Sequence, residues 1–319
     1  MATYKGIQGF SIQNLSADPS NPIEGQVWYN STSNVWKVEE LTTAGSWATG
    51  GNLATARGYL GGAGTQTAGL AFGGTLGPSF IASTEEYNGS TWSPGGNLAT
   101  AKQGLGGAGT QTAGLAFGGS SPPATNLSET EEYDGSTWSP GGNLGTARRI
   151  IKGCGTQTAA LAAGGFSTAT VTDTEEYNGA TWSPSNPMVT QRLYFASSGT
   201  QTAALAFGGP TQTEEYDGTS WTSSNPLNTG RSMSAGAGIQ TAALAFGGEV
   251  PPDVGATEEY DGTSWTSNPT GLNTARGWLA GCGTQTAALG FGGDTPSLSA
   301  ATEEWTGAGA AVTKTITVS

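Results

Sequence analysis

Apolar and polar positions follow a pattern that returns along the chain. An apolar run, TAxLAFGG or a near copy, ends at Gly74, Gly119, Gly165, Gly209, Gly248 and Gly293, at spacings of 45, 46, 44, 39 and 45 residues. Each run suits one strand buried on both faces. Its diglycine allows a backbone conformation or close approach that a side chain would block. After a loop of varying length comes an acidic and aromatic triplet: Glu85-Glu86-Tyr87, Glu131-Glu132-Tyr133, Glu175-Glu176-Tyr177, Glu214-Glu215-Tyr216, Glu258-Glu259-Tyr260 and Glu303-Glu304-Trp305. Five of the triplets lead through Asn-Gly, Asp-Gly or a close variant, a strong hairpin signal, to Trp92, Trp138, Trp182, Trp221 and Trp265. A basic residue stands ahead of each diglycine: Arg57, Lys102, Arg148, Arg192, Arg231 and Arg276. Each unit therefore reads as four short strands. Strand a follows the basic residue, strand b is the apolar run entered through a G-T-Q-T turn, strand c is TEEY, and strand d starts at the tryptophan. No helix of useful length fits. Four-stranded units at this period predict an all-β protein, a propeller of antiparallel blades.

The ends of the chain bear on the number of blades. Residues 38–53 align with residues 84–98 and supply a further c–d pair ending at Trp47. Upstream, residues 25–30 and 35–41 are joined by a turn-rich STSN, as a b–c hairpin would be. Residues 311–318 alternate as a strand does and stand where the sixth unit lacks its tryptophan. Seven blades would use all these strands, and seven is the favoured expectation. Six blades would use the Trp47 strand to complete the last blade and leave the others as appendages. The expected division is an arm over 1–24 and a propeller over 25–319, with strand 311–318 pairing elsewhere in the ring, because an open edge invites aggregation.

The order of basic residue, diglycine, Tyr and Trp, recurring from 51 to 305, resembles the kelch repeat. In that family the diglycine ends the second strand, and the Tyr and Trp pack between blades. The resemblance implies a kelch-like propeller, with units slightly shorter than usual and a doubled glutamate before the Tyr. Kelch propellers have many functions, so the fold fixes none of them.

Composition narrows the chemistry. Glycine is 53 of 319 residues, charged residues are 11%, and histidine is absent. Without histidine there is no Ser-His-Asp or Cys-His nucleophile and no imidazole metal site, so neither a cofactor nor a metal is expected and a copper oxidase site is excluded. The net charge of −13 argues against nucleic acid. No apolar run approaches a membrane span, and the N-terminus lacks the pattern of a Sec-type signal peptide. Cys154 and Cys282 fill one repeat slot that elsewhere holds Ala or Ser, which marks them as packing residues in different blades rather than a disulfide.

The doubled glutamates could be a ring of carboxylates for calcium or glycosidic catalysis. Adjacent strand residues point to opposite faces, so a Glu-Glu pair does not chelate. The preferred reading is structural: one glutamate per blade meets Arg57, Lys102, Arg148, Arg192, Arg231 or Arg276, as exposed pairs that each contribute on the order of 0–1 kcal/mol. The repeat Tyr and Trp residues read as core. What varies between units is the b–c loop and the start of strand a, around Tyr59, Ile150, Tyr194, Met233 and Trp278. Variation on a repeated scaffold is where recognition sits. The b–c loops should cluster on one face, with Phe80, Leu127, Phe166, Val250 and Leu298 as exposed apolar contact residues.

The segment GQVWYNSTSNVWKV (25–38) resembles a stretch found in phage tail-fibre and related virion proteins. The high identity of the repeats and the closing EEWTGAGAAVTKTITVS (303–319) are similar to kelch-like virion proteins of marine bacteriophages. This resemblance implies a non-enzymatic virion protein, a tail-fibre or decoration module outside the cell. Its partners would be other virion proteins and a host surface receptor or glycan, with a homo-oligomer also open. The alternative is a cellular kelch-type module that binds a protein or glycan. A third reading is a carboxylate-based glycosidase, whose only candidates are unrepeated acids such as Glu129, Asp173, Glu249, Asp253 and Asp294, on different b–c loops without a partner motif.

Overall fold

A computed structural model describes residues 13–20, 25–41, 44–209, 211–309 and 311–316. It is all-β, and its sheets are mostly four-stranded. The chain divides into two compact units, Ser46–Thr306 and a second made of 1–45 with 307–319.

In Ser46–Thr306 every repeat folds as its pattern predicts. The first sheet runs Gly61–Thr65, Ala68–Phe72, Thr84–Tyr87, Trp92–Pro94, each strand antiparallel to the next. Four more sheets repeat this order, with innermost strands Gly106–Gly109, Lys152–Thr156, Ala196–Thr200 and Ala235–Ile239. The sixth sheet runs Ala280–Gly283, Ala287–Phe291, Thr302–Thr306 and then Ser46–Thr49. Each innermost strand lies against that of the next sheet, and the sixth lies against the first. The β-propeller class is therefore observed.

The strand pairings depart from the seven-unit expectation at the ends. Trp47 does not form a c–d pair with residues 38–41. It sits opposite Trp305 in the sixth sheet. The sixth unit has no hairpin and tryptophan of its own, so strand Thr302–Thr306 needs an outer neighbour, and Ser46–Thr49 supplies it. The remaining terminal strands form their own sheet in the other unit. Gln13–Leu15 lies parallel to Val27–Asn30, which makes the expected hairpin with Val35–Leu41. Ala311–Ile316 pairs with Val35–Leu41 rather than with a strand of Ser46–Thr306. The compact division thus falls at 46 and 306 rather than at 24. In this second unit the Asp18 carboxylate accepts from Trp28, Asn30 and Lys37, and these hydrogen bonds, led by that of Lys37, hold its pKa down at about 2.

Neighbouring sheets are held by bonds that recur at each joint. The tryptophan that starts strand d donates its indole N–H to the first threonine of strand c in the preceding sheet. Trp92 meets Thr302, Trp138 Thr84, Trp182 Thr130, Trp221 Thr174 and Trp265 Thr213, and Trp47 completes the circle on Thr257, all at 2.9–3.0 Å. The glutamine of G-T-Q-T reaches back to two carbonyls of the preceding sheet. Gln111 binds Gly69 O and Tyr87 O, and Gln66 binds Ala288 O and Trp305 O across the closure. Phe72, Phe117, Phe207, Phe246 and Phe291 pack on the tryptophan of the following sheet at centroid distances of 4.8–5.1 Å.

The two glutamates of each triplet do separate jobs on opposite faces. The first meets the basic residue of its own unit: Arg57–Glu85, Lys102–Glu131 at 2.7 Å, Arg148–Glu175 at 2.7 Å, Arg192–Glu214 at 2.6 Å, Arg231–Glu258 at 2.5 Å and Arg276–Glu303 at 2.9 Å. These pairs are buried, not exposed as the sequence reading had them. Burial pulls the Arg148 guanidinium below its usual pKa while Glu175 opposes the shift. The arginine also donates to carbonyls at the end of strand b and before strand c, as Arg148 does to Gly164 O and Asp173 O. That second task explains why a long cation is drawn inside. The second glutamate accepts the tyrosine hydroxyl of the next sheet: Glu86 from Tyr133, Glu132 from Tyr177, Glu176 from Tyr216, Glu215 from Tyr260 and Glu304 from Tyr87. Burial, with the glutamate bond behind it, pushes these phenols up to about 12. Glu259 faces a sheet whose tyrosine is replaced by Trp305 and takes the Asn268 amide instead.

Candidate functional site: the mouth of the central channel

With the repeated residues engaged within and between sheets, unrepeated ones collect at one end of the channel. Two positions after each basic residue stand Tyr59, Gly104, Ile150, Tyr194, Met233 and Trp278. All are left-handed, with φ between 54° and 61°. Backbone bonds link them from sheet to sheet: Gly104 N–H to Tyr59 O, Ile150 to Gly104, Met233 to Tyr194, Trp278 to Met233 and Tyr59 to Trp278. This conformation is unfavourable for any side chain and most so for a β-branched one. Gly104 shows that glycine fits the slot, yet the other five sheets carry large side chains there, each half-buried. Tyr59 stacks on Trp278 at 3.6 Å between centroids, and Tyr194 meets Trp278 edge-on at 5.0 Å. Burial, then Tyr194, Asp294 and Glu249, push the Tyr59 phenol up to about 12.

The b–c loops surround this mouth. The residue before each mouth position bridges to the residue after the diglycine in Gly58–Thr75, Gln103–Ser120, Arg149–Phe166, Ser232–Glu249 and Gly277–Asp294. The second glycine is required there: a Cβ on Gly74, at φ 104°, would lie 2.7 Å from Gly58 O. The loops thus leave the same end of these five sheets.

Of the five loop residues expected to make contacts, Val250 alone is exposed, and Phe80, Leu127, Phe166 and Leu298 are half-buried. Phe166 lies under the Arg149 guanidinium at 4.7 Å, and Leu298 packs toward Gly58. Phe80 and Leu298 meet in a groove of about 390 Å³ that also touches Tyr59, Gln103 and Asp294. Leu127, Phe166 and Val250 do not line it. Among the unrepeated acids, Glu129 approaches Lys102 at 3.4 Å. Burial, helped by Glu249 and Asp294, raises the Asp253 carboxyl. Cys154 and Cys282 are free and buried, their thiols pushed up to about 12 by burial.

Sequence reasoning passed over Lys152. It occupies the first position of an innermost strand, where the other sheets have Gly61, Gly106, Ala196, Ala235 and Ala280. It lines both the mouth and a cavity of about 60 Å³ beneath it. Burial draws its ammonium down to about 8. The signal was present in the string RRIIKGCGTQTAALAAGG (148–165): a lysine replaces a small residue in the same unit in which Ala163 replaces phenylalanine.

No protein-family model matches the chain, and no curated protein is similar to it.

Proposed function

We propose that this chain is a non-enzymatic recognition module, a rigid propeller that presents its loop face and channel mouth to a partner. The observation that carries this reading is the set of five left-handed residues at the mouth. Holding a non-glycine residue there costs on the order of 1 kcal/mol or more each. Three of the five, Tyr59, Tyr194 and Trp278, are aromatic and half-exposed. Strain kept in large apolar side chains on an accessible surface fits a contact surface better than a structural plug, for which Gly104 is the cheaper solution. The rest of the repeat supports the same reading, because its cations and first glutamates pair within each unit and its second glutamates, tyrosines, tryptophans and glutamines join the sheets.

The N-terminal likeness to phage tail-fibre proteins favours a virion as the setting, with the propeller carried on the particle toward other virion proteins or a host surface. Mass spectrometry of purified particles from the source tests this. Peptides of the chain enriched with capsid and tail proteins are expected. Their confinement to the cell fraction would leave a cellular interaction module instead.

A further inference from the structure

Among the residues whose side chains are described, the cations other than Lys152 have acceptors or a ring partner. Lys37 pairs with Asp18, the six repeat cations pair with glutamates, and Arg149 donates to Ala124 O and Asn126 while lying over Phe166. Lys152 has none, although it stands in a narrow cavity. Two further departures from the repeat line that cavity. Ser197 replaces the glycine of Gly62, Gly107, Gly153, Gly236 and Gly281, and donates to Gly153 O. Ser234 replaces a large apolar residue, and its buried hydroxyl has no partner. An unpaired ammonium in such surroundings favours an arriving anion strongly, because the anion restores lost solvation and lost charge balance together.

The surroundings select the anion. One lysine is the sole charge lining the cavity, while Glu249, Asp253 and Asp294 lie on loops of the same face and the chain carries −13 overall, so a dianionic phosphate is opposed. The small cavity admits a compact group only. Above it stand the half-exposed rings of Tyr59, Tyr194 and Trp278, which a bare halide could not use but the C–H face of a pyranose could pack against. From Tyr59 the groove past Phe80 and Leu298 continues outward, with Gln103 and Ser297 as polar lining, and offers room for an adjoining sugar. We infer that the channel mouth binds an acidic sugar residue, a uronic or sialic acid, with its carboxylate on Lys152 and its ring against Tyr59, Tyr194 and Trp278. This rests on the recognition reading above and names its ligand class.

The test is calorimetric titration of the full chain with glucuronate, N-acetylneuraminate and glucose, repeated on Lys152→Met and Lys152→Gln after their melting temperatures confirm folding. At least one acid should bind, with glucose weaker by about tenfold or more, and both variants should lose about tenfold or more in affinity for the acid. No binding of either acid, or binding that survives both substitutions, overturns the assignment. So does chloride that competes at concentrations matching the acid, since that marks a bare-anion site. Should neither acid bind while exchange of a b–c loop still abolishes attachment to cells, the sugar is wrong and the recognition face stands. Should attachment be indifferent to every loop exchange, the face itself is wrong.

Discussion

Lys152 stands directly opposite Ala163 in the third sheet, where each of the other five sheets pairs a Gly or Ala with a Phe. The two substitutions answer one another. In the first sheet a Cβ on Gly61 would fall 2.3 Å from the Phe72 ring, so a long side chain at this position requires that the ring be absent. Ala163→Phe should therefore destabilise the protein by about 1–3 kcal/mol through overpacking. Adding Lys152→Gly should recover most of that loss. Thermal melts of the two single variants and the double variant measure the coupling, and additive effects would show that the residues do not share the space.

The same lysine should make stability depend on pH in a known direction. Its folded pKa of about 8 lies below the ordinary 10.5, so between those values the unfolded chain holds more protons and stability rises with pH. Below pH 8 the charge of this half-buried lysine carries its whole desolvation penalty. Lys152→Met should thus stabilise the protein at pH 7, by roughly 1–3 kcal/mol, and the advantage should shrink as pH approaches 10. The raised tyrosines titrate in both proteins and cancel in the comparison. Denaturant melts at pH 7 and pH 9.5 check the sign, and a gap that widens with pH would contradict it.

Because the ion pairs are buried, removing one partner should be severe. Arg148→Ala leaves the Glu175 carboxylate inside the protein with its guanidinium gone and Gly164 O without its arginine donor, while Asp173 O keeps the Gly164 N–H. A loss of about 3–5 kcal/mol is expected, far beyond that of a surface pair. Replacing Arg148 and Glu175 together by Met and Leu should cost less than the single change. A loss under 1 kcal/mol for Arg148→Ala would mean that the pair is solvated.

Strand order, turn chemistry and the pairing of cation with glutamate were all legible in the sequence, because each rests on local pattern repeated six times. The burial of the pairs was not. Nothing local in TEEY says which face its first glutamate takes, and an arginine–glutamate match looks the same inside or outside. Gln111 and its equivalents passed as turn residues because their partners lie some 24 and 42 residues away on the preceding sheet. The mouth emerged only in part. Its positions stood out as variable, but convergence on one axis and a left-handed backbone are properties of the closed ring. The partner of Trp47, about 258 residues distant along the chain at Trp305, could be posed from sequence but not decided.

Closure of the ring through Trp47 has a direct consequence. The indole binds Thr257 and packs against Phe246 and Trp305. Trp47→Ala should cost about 3–5 kcal/mol. Deletion of residues 307–319, whose strand pairs with Val35–Leu41, should leave the main melting transition of Ser46–Thr306 nearly unchanged. The reverse ranking in calorimetry would contradict the observed pairing.

The central claim is that the repeated residues hold the ring while the variable face does the recognising. One loop exchange separates the two. Residues 120–129 are replaced by the three residues of 210–212, and Thr130 is kept because it accepts the Trp182 indole. The purified variant is then assayed for attachment to cells of the proposed host beside the parent chain. A melting temperature within a few degrees of the parent's, together with lost attachment, is the expected result. Attachment equal to that of the parent, for this loop and for each of the others exchanged in turn, would contradict the account.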